Sequence, residues 1–438
     1  MSSKKDIVIV IPSNIVANTF IYSGAMKTLE KKFNVTYLCA PIVKDLVFPS
    51  FELVGLSSLK NRILRELDIH LWYFALFVYW ARQGIPDANT FKSLKLPRSH
   101  RTIYRLFART HLAWLILWLD RNLFFRRDYN IDNYLSKIRP SLLIAPATAL
   151  DSYSHMVLRS ARHMKIPTLM IASHWDFFSK KGLLRLKSDQ VYVWGEDMKI
   201  MAQSDKTVCK DSIRIVGAPH FDKYIGKQNF NRGLARSQFG LRLESKVLLF
   251  AGASLPYDEL TIIKILNNMI ESHSNDIYII YRPHPKAWKR QQKEHVDITT
   301  LKKVVFDAVG HEGYATEKHY QNLMAAIDGI ISPFSTMVLE AALCGKPAFC
   351  LGFADGINDW NFSEVNSSEH IKLLKGRHWL TVCINKEQLE SHFESFLVNL
   401  NAGPFSQEVR KEVKQTVYYD DEPYADRLYR CIKQDFLI

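Results

Sequence analysis

The sequence predicts an α/β protein made of two Rossmann-like parallel-sheet domains facing a cleft, the first carrying a helical insertion rich in aromatic and basic residues. Three observations predict it. Short apolar runs bounded by turn residues alternate with stretches of helical periodicity along the 438 residues. That rhythm occurs twice, once on each side of a polar stretch at 226–245. A chain this long is also too large for a single compact core.

Taken in order, Ile7–Ile11 is the first strand, a helix follows over Ile15–Lys32, and Val35–Ala40 is the second strand. From about 45 to 130 the pattern changes to long helical stretches. These include Leu71–Trp80 (LWYFALFVYW) and Ala113–Leu119 (AWLILWL), with arginines at 98, 101, 105, 109, 121, 126 and 127 around the second run. Both runs are too short to span a bilayer. Two readings of this region stay open: buried helices of a large domain, or an amphipathic surface lying in the plane of an anionic membrane. The β-α rhythm resumes with strands Leu142–Ala145, Thr168–Ile171, Gln190–Trp194 and Ile213–Val216, and with a helix over Asp151–Met164 that Asp151 caps.

The first domain is expected over 1–225, a linker over 226–245 and the second domain over 246–405. Residues 406–438 form C-terminal helices that pack back on the first domain. In the second domain the strands are Val247–Ala251, Ile277–Tyr281, Val304–Phe306 and Thr381–Ile384. The helices are Glu259–Ser272, Lys318–Ala326 and Lys386–Leu397. Asp328–Leu351, DGIISPFSTMVLEAALCGKPAFCL, reads as strand, turn, helix and strand. Gly345 and Pro347 close its helix.

The composition, 47% hydrophobic and 23% charged, is that of an ordinary globular protein. An excess of 58 Lys+Arg over 44 Asp+Glu gives +14 and favours an anionic partner: phosphorylated small molecules, an anionic membrane or nucleic acid. No nucleic-acid reader motif is present, which ranks that partner last. The six cysteines have neither disulfide-framework nor metal-ligand spacing, so no metal is expected and a reducing cytoplasm is the simplest location.

In parallel sheets ligands bind at the carboxyl ends of the strands, so the chemistry belongs in the strand-to-helix loops. Tyr281-Arg282-Pro283-His284-Pro285-Lys286 follows a strand directly, with the imidazole of His284 held between two prolines and a cation on either flank. That arrangement suits a phosphate clamp in which His284 donates a hydrogen bond or a proton, although a turn histidine capping a helix would look the same. Ser335 and Thr336 add hydroxyls at the start of the next helix, and Gly252 and Ser254 form a small-residue loop able to approach a phosphate. In the first domain, His174 and Asp176 follow a strand and are candidates for a general base, with Trp175 between them; Asp176 also suits a turn or helix cap. His311 and Glu312 lie in a polar loop, and Tyr418–Glu422 (YYDDE) reads as a cap feature.

The pairing of R-P-H-P with the Ser-Thr…Glu-Ala…Gly-Lys-Pro of 335–347 resembles the donor half of GT-B transferases of bacterial surface polymers. The likeness is greatest to the CDP-glycerol glycerophosphotransferases and related surface-carbohydrate proteins. The His-Pro and Ser-Thr pair is also similar to that of bacterial sialyl- and polysialyltransferases. Trp175–Gly182, Val191–Gly195 and Gly217–Asp222 extend the resemblance over about 151–352, with Phe177 standing where relatives carry Asn.

The resemblance implies a metal-independent transferase with no cofactor, whose substrate is a nucleotide-activated donor, CMP- or CDP-linked. The acceptor would be a lipid-linked or surface glycan, and the enzyme would sit peripherally at the inner face of the cytoplasmic membrane. It implies donor-phosphate contacts from Arg282, His284, Lys286, Ser335, Thr336, Gly252 and Ser254. Glu340 would hold a ribose hydroxyl pair, and a buried capping role is the other reading of that residue. Competing readings are a UDP-sugar-dependent glycosyltransferase, a non-hydrolysing nucleotide-sugar epimerase, and a non-catalytic nucleotide-binding protein of the membrane surface.

Overall fold

The computed structural model describes residues 4–43, 51–56, 62–82, 98–122, 128–147, 151–181, 188–205, 208–225, 231–253, 257–273, 276–284, 298–307, 316–358, 362–400 and 405–438. The chain divides into two compact units. One comprises Met1–Asp222 with Thr416–Ile438, and the other Lys223–Gln415.

The first unit holds a seven-stranded sheet. Its strands are β1 (Asp6–Ile11), β2 (Asn34–Cys39), β3 (Phe51–Leu53), β4 (Leu142–Ala147), β5 (Thr168–Ala172), β6 (Gln190–Val193) and β7 (Ile213–Ile215), in the order β3-β2-β1-β4-β5-β6-β7. All of its neighbouring pairs run parallel. Strands covered by helices on both faces need apolar side chains on both faces. Ile7 to Ile11 and Leu169 to Ala172 are accordingly buried without a polar interruption.

Several expectations are corrected here. The helix expected over Ile15–Lys32 is broken into Asn14–Ala17, a π-turn at Asn18–Tyr22 and Lys27–Lys32, with Gly24 at φ +78° between the pieces. Strand β3 lies inside the stretch read as wholly helical. The rest of that stretch forms helices over Arg62–Arg82, Arg98–Ala108 and His111–Asn122. These three share a core of Phe74–Tyr79, Ala108, Ala113 and Leu117. Elsewhere on the same helices Ile103, Leu106 and Phe107, and Leu112, Leu115 and Trp118, are exposed. Asp151 caps its helix as expected, accepting from the Tyr153 and Ser154 amides.

The second unit holds a six-stranded sheet of β8 (Lys246–Ala251), β9 (Ile277–Arg282), β10 (Val304–Phe306), β11 (Gly329–Ser332), β12 (Ala348–Leu351) and β13 (Leu380–Cys383). The order is β10-β9-β8-β11-β12-β13, again with every pair parallel. The polar stretch expected as a linker contains the helix Arg232–Ser237, capped by Asn231, and lies within this unit. Its Arg236 is fully buried and reaches Asp328 Oδ2 at 2.7 Å, while Arg232 also pairs with Asp328. Asp328 in turn accepts from the Val247 amide, which ties the helix to the edges of β8 and β11. Polarity read as solvent exposure is here the chemistry of a buried ion pair.

The C-terminal segment divides at a different point from the one expected. The helix Gln407–Thr416 lies almost wholly in the second unit, and the chain joins the first unit from Thr416. The last helix, Tyr424–Phe436, is fastened there through Tyr192 Oη to Asp435 (2.7 Å) and Arg214 Nη1 to Gln434 (2.6 Å). Tyr418–Glu422 falls between the two helices. Two of its three acids are engaged by arginines: Asp420 by Arg427 at 2.6 Å and Glu422 by Arg430 at 2.8 Å.

Candidate functional site

In the second unit the strand order reverses direction between β8 and β11, and such a switch point is where open α/β sheets receive ligands. Three loops meet there. After β8 come Gly252 and Ala253; the Gly252 amide donates to the Arg282 carbonyl at 2.9 Å. A Cβ on Gly252 would stand 2.5 Å from Glu259 Oε2 and 2.7 Å from the His284 amide nitrogen, so only glycine lets the first two loops approach this closely. Buried Glu259 secures the loop: Oε1 accepts from the Ala253 amide (3.0 Å) and Oε2 from Tyr281 Oη (2.9 Å).

The third loop follows β11. Buried Ser332 donates its hydroxyl to the Ala251 carbonyl at 2.7 Å, and its Oγ stands 2.9 Å from Ser335 Oγ. Phe334 adopts the left-handed conformation, φ +49°, which a non-glycine residue holds at a cost of about 1–2 kcal/mol. That turn delivers half-buried Ser335 and Thr336 to the start of the helix Met337–Leu343. Thr336 occupies the cap position with helical φ and ψ and makes no side-chain capping bond. The hydroxyl-bearing turn rather than a long helix dipole is therefore what this loop offers an anion, because the helix is only seven residues long.

After β9, half-buried His284 follows buried Pro283. Arg282, expected to bring fixed positive charge to the donor phosphate, is 5% exposed. Its Nη1 pairs with buried Asp307 Oδ2 at 2.7 Å, its Nη2 donates to Tyr320 Oη at 3.0 Å, and its guanidinium lies 4.6 Å from the Tyr320 ring centroid. His319 Nε2 reaches the same Asp307 oxygen at 2.9 Å. Burial works to raise the Asp307 carboxyl, but His319 and Arg282 outweigh it and hold the group below the ordinary carboxylate range. Arg282 is thus tied to Asp307 and Tyr320 at the end of β9, two residues before His284. Lys286, Ser254, His311 and Glu312 lie outside the described residues.

Glu340, one turn into the Met337–Leu343 helix, accepts a hydrogen bond on Oε2 from Tyr224 Oη. Lys223 Nζ stands 5.1 Å from the Tyr224 ring centroid and 5.4 Å from that of Tyr320. Burial pushes the Glu340 carboxyl up, while Lys223, the Tyr224 hydroxyl and Arg282 pull it back towards the charged form. Lys223, Tyr224, Asp307, His319 and Tyr320 were not singled out from the sequence. Tyr224 does lie two positions beyond the Gly217–Asp222 segment, which was a usable signal.

His174 and Asp176 belong to the first unit, half-buried in the turn after β5 that leads into the π-turn Phe177–Lys181. Phe177, standing where the resemblance has Asn, is fully buried and packs edge-to-face on Phe178 at 5.1 Å. That position serves the core.

Residues 180–355 match the family model of CDP-glycerol:poly(glycerophosphate) glycerophosphotransferase. No functionally curated protein sequence matches the chain. Among solved structures, the S. aureus MnaA–UDP co-structure superposes with a TM-score of 0.55 at 12% identity, covering 98% of this chain and 96% of that one. A putative UDP-N-acetylglucosamine 2-epimerase from Listeria monocytogenes gives 0.57 at 10% identity, covering 99% and 97%. The UDP-GlcNAc 2-epimerase of Methanocaldococcus jannaschii gives 0.54 at 14%, covering 98% and 99%. At these identities the likeness is one of fold, and it is a GT-B-type fold of two parallel-sheet domains.

Proposed function

We propose that this chain is a transferase that moves a sugar or a glycerophosphate from a nucleotide-activated donor, CMP- or CDP-linked, to a lipid-linked or surface-polysaccharide acceptor in cell-envelope glycan synthesis. The observation that carries the reading is the meeting of the Gly252, His284 and Ser335–Thr336 loops at the β8/β11 switch point, with Glu340 one turn beyond. The glycerophosphotransferase family match over 180–355 spans this whole arrangement and supports it.

In the proposed reaction an acceptor hydroxyl oxygen bonds to the donor carbon or phosphorus, and the bond to the nucleotide phosphate breaks. His284 and the hydroxyls of Ser335 and Thr336 take up the charge that develops on the leaving phosphate. The acceptor proton passes to His174 or Asp176 of the first unit. Arg282 acts through Asp307 and Tyr320 by fixing the backbone ahead of His284.

A membrane-borne acceptor is favoured by the two helices that expose apolar faces beside arginines. Ile103, Leu106 and Phe107 accompany exposed Arg105 and Arg109, and Leu112, Leu115 and Trp118 follow. Such faces suit the interface of an anionic bilayer, and the proposed location is peripheral, at the inner face of the cytoplasmic membrane. Among the described residues no helix is long and apolar enough to cross a membrane.

The test is turnover of CMP-sugar and CDP-glycerol donors in the presence of membrane-extracted acceptor, by wild type and by His284→Ala. A drop of about 100-fold or more with an unchanged melting profile is expected. Near-normal turnover by folded His284→Ala protein, or epimer formation from a UDP-sugar supplied without acceptor, counts against the assignment.

A further inference from the structure

The first unit has a switch point of its own: its strand order reverses between β1 and β4, and open α/β sheets receive ligands at such a place. Asp151 stands there, at the start of the helix Ser152–His163 that follows β4. The cap uses one oxygen of its carboxylate: Oδ1 accepts from the Tyr153 amide at 3.0 Å and from the Ser154 amide at 3.1 Å. Oδ2 has no hydrogen-bond partner among the described residues, although Asp151 is only 9% exposed. A buried acceptor without a donor is costly, and the cap does not call for it, because serine or threonine caps a helix with a single oxygen. The carboxylate is also held in place. Tyr153 shares its hydroxyl proton between the Cys39 carbonyl at 3.1 Å and the Val54 carbonyl at 2.9 Å, which ties the first turn of the helix to the ends of β2 and β3. Burial pushes the Asp151 carboxyl up to about 6 while the Tyr153 and Ser154 amides pull the other way, so the group is charged at neutral pH.

Strands β4 and β5 pair in parallel with Ala147 opposite Ala172, so the Asp151 loop and the turn carrying His174 and Asp176 leave the same edge of the sheet. Neighbouring strands lie about 5 Å apart, a spacing that one sugar or glycerol unit can bridge. An ionised carboxylate repels phosphate and accepts from neutral hydroxyls. We propose that Asp151 Oδ2 forms an acceptor subsite in the first unit, accepting a hydrogen bond from a hydroxyl that neighbours the one that reacts. The acceptor end it selects is a neutral polyol rather than a phosphate monoester. The role as acceptor rests on the transferase reading above; the binding of a neutral polyol does not.

The experiment is saturation-transfer NMR of the full chain with glycerol and with methyl α-glucoside, for wild type, Asp151→Asn and Asp151→Ser. Both substitutions keep a side chain that caps a helix, so the melting profile should not change. Wild type is expected to bind at least one of the two polyols, and each variant to bind it about tenfold or more weakly, the worth of a hydrogen bond to a charged group. In turnover assays the same variants should raise the acceptor KM by a like factor and leave the donor KM alone. Polyol binding that is absent from wild type, or that survives both substitutions, overturns the subsite and leaves Asp151 a helix cap with a water on Oδ2; donor turnover by wild type would then keep the transferase reading intact. A lowered kcat with an unchanged acceptor KM also overturns the binding role. Asp151-dependent polyol binding by a protein that turns over no donor would uphold the subsite and sink the transferase reading.

Discussion

Replacing Asp307 by Asn tests how the β9 edge is held. Asp307 is 2% exposed, its Oδ2 pairs with Arg282 at 2.7 Å, and the same oxygen meets His319 at 2.9 Å. The amide keeps the volume and removes the charge, leaving the Arg282 guanidinium buried without its counter-ion. Breaking one side of a buried pair costs about 3–5 kcal/mol. For a unit of this size each kcal/mol lowers the melting temperature by about 2–4 °C, so the second unit's transition should fall by roughly 6–20 °C in calorimetry. Arg282→Met combined with Asp307→Leu should recover most of that loss, because an apolar pair leaves no uncompensated charge.

The pH dependence follows from the same carboxyl. The free group titrates at about 3.9, and in the fold it is held lower. The unfolded chain therefore binds more protons in that range. The stabilisation is fully present above about pH 4 and is lost as pH falls through the folded value, and Asp307→Asn should flatten that part of the stability profile. A cost below about 1 kcal/mol for the single variant, or a double variant as unstable as the two singles added together, would refute the buried-pair account.

Two further outcomes are expected. Gly217 holds φ +86°, and a Cβ there would stand 2.4 Å from the Tyr418 carbonyl oxygen. Gly217→Ala should therefore destabilise the first unit by more than about 2 kcal/mol and raise hydrogen exchange across 416–438. Leu115→Ser and Trp118→Ser, at positions 50% and 53% exposed, should each weaken binding to vesicles containing anionic lipid by about tenfold or more. Raised salt should weaken the wild type as well, and unchanged binding by both variants would remove these helices from the membrane contact.

Most strands were legible in the sequence, along with the helix Glu259–Ser272, whose observed bounds are those expected. The strand–turn–helix–strand of 329–351 was legible too, because apolar runs, glycine and proline act over a few neighbouring residues. The helix Arg232–Ser237 was not: its arginines look solvent-bound until Asp328, more than ninety positions away, is placed beside them. The same blindness hid Tyr224 and Tyr320, whose partners come from other strands and helices.

The sequence by itself determined two parallel, helix-covered sheets and the loops in which chemistry would sit, since burial on both faces of a strand writes itself into consecutive residues. Only the tertiary structure decided that Arg282 pairs with Asp307, that Glu340 accepts from Tyr224, and that the turn after β11 lies at a switch point. The partner of a polar side chain and the order of strands depend on which distant segments the fold brings together, and local periodicity carries no record of that choice.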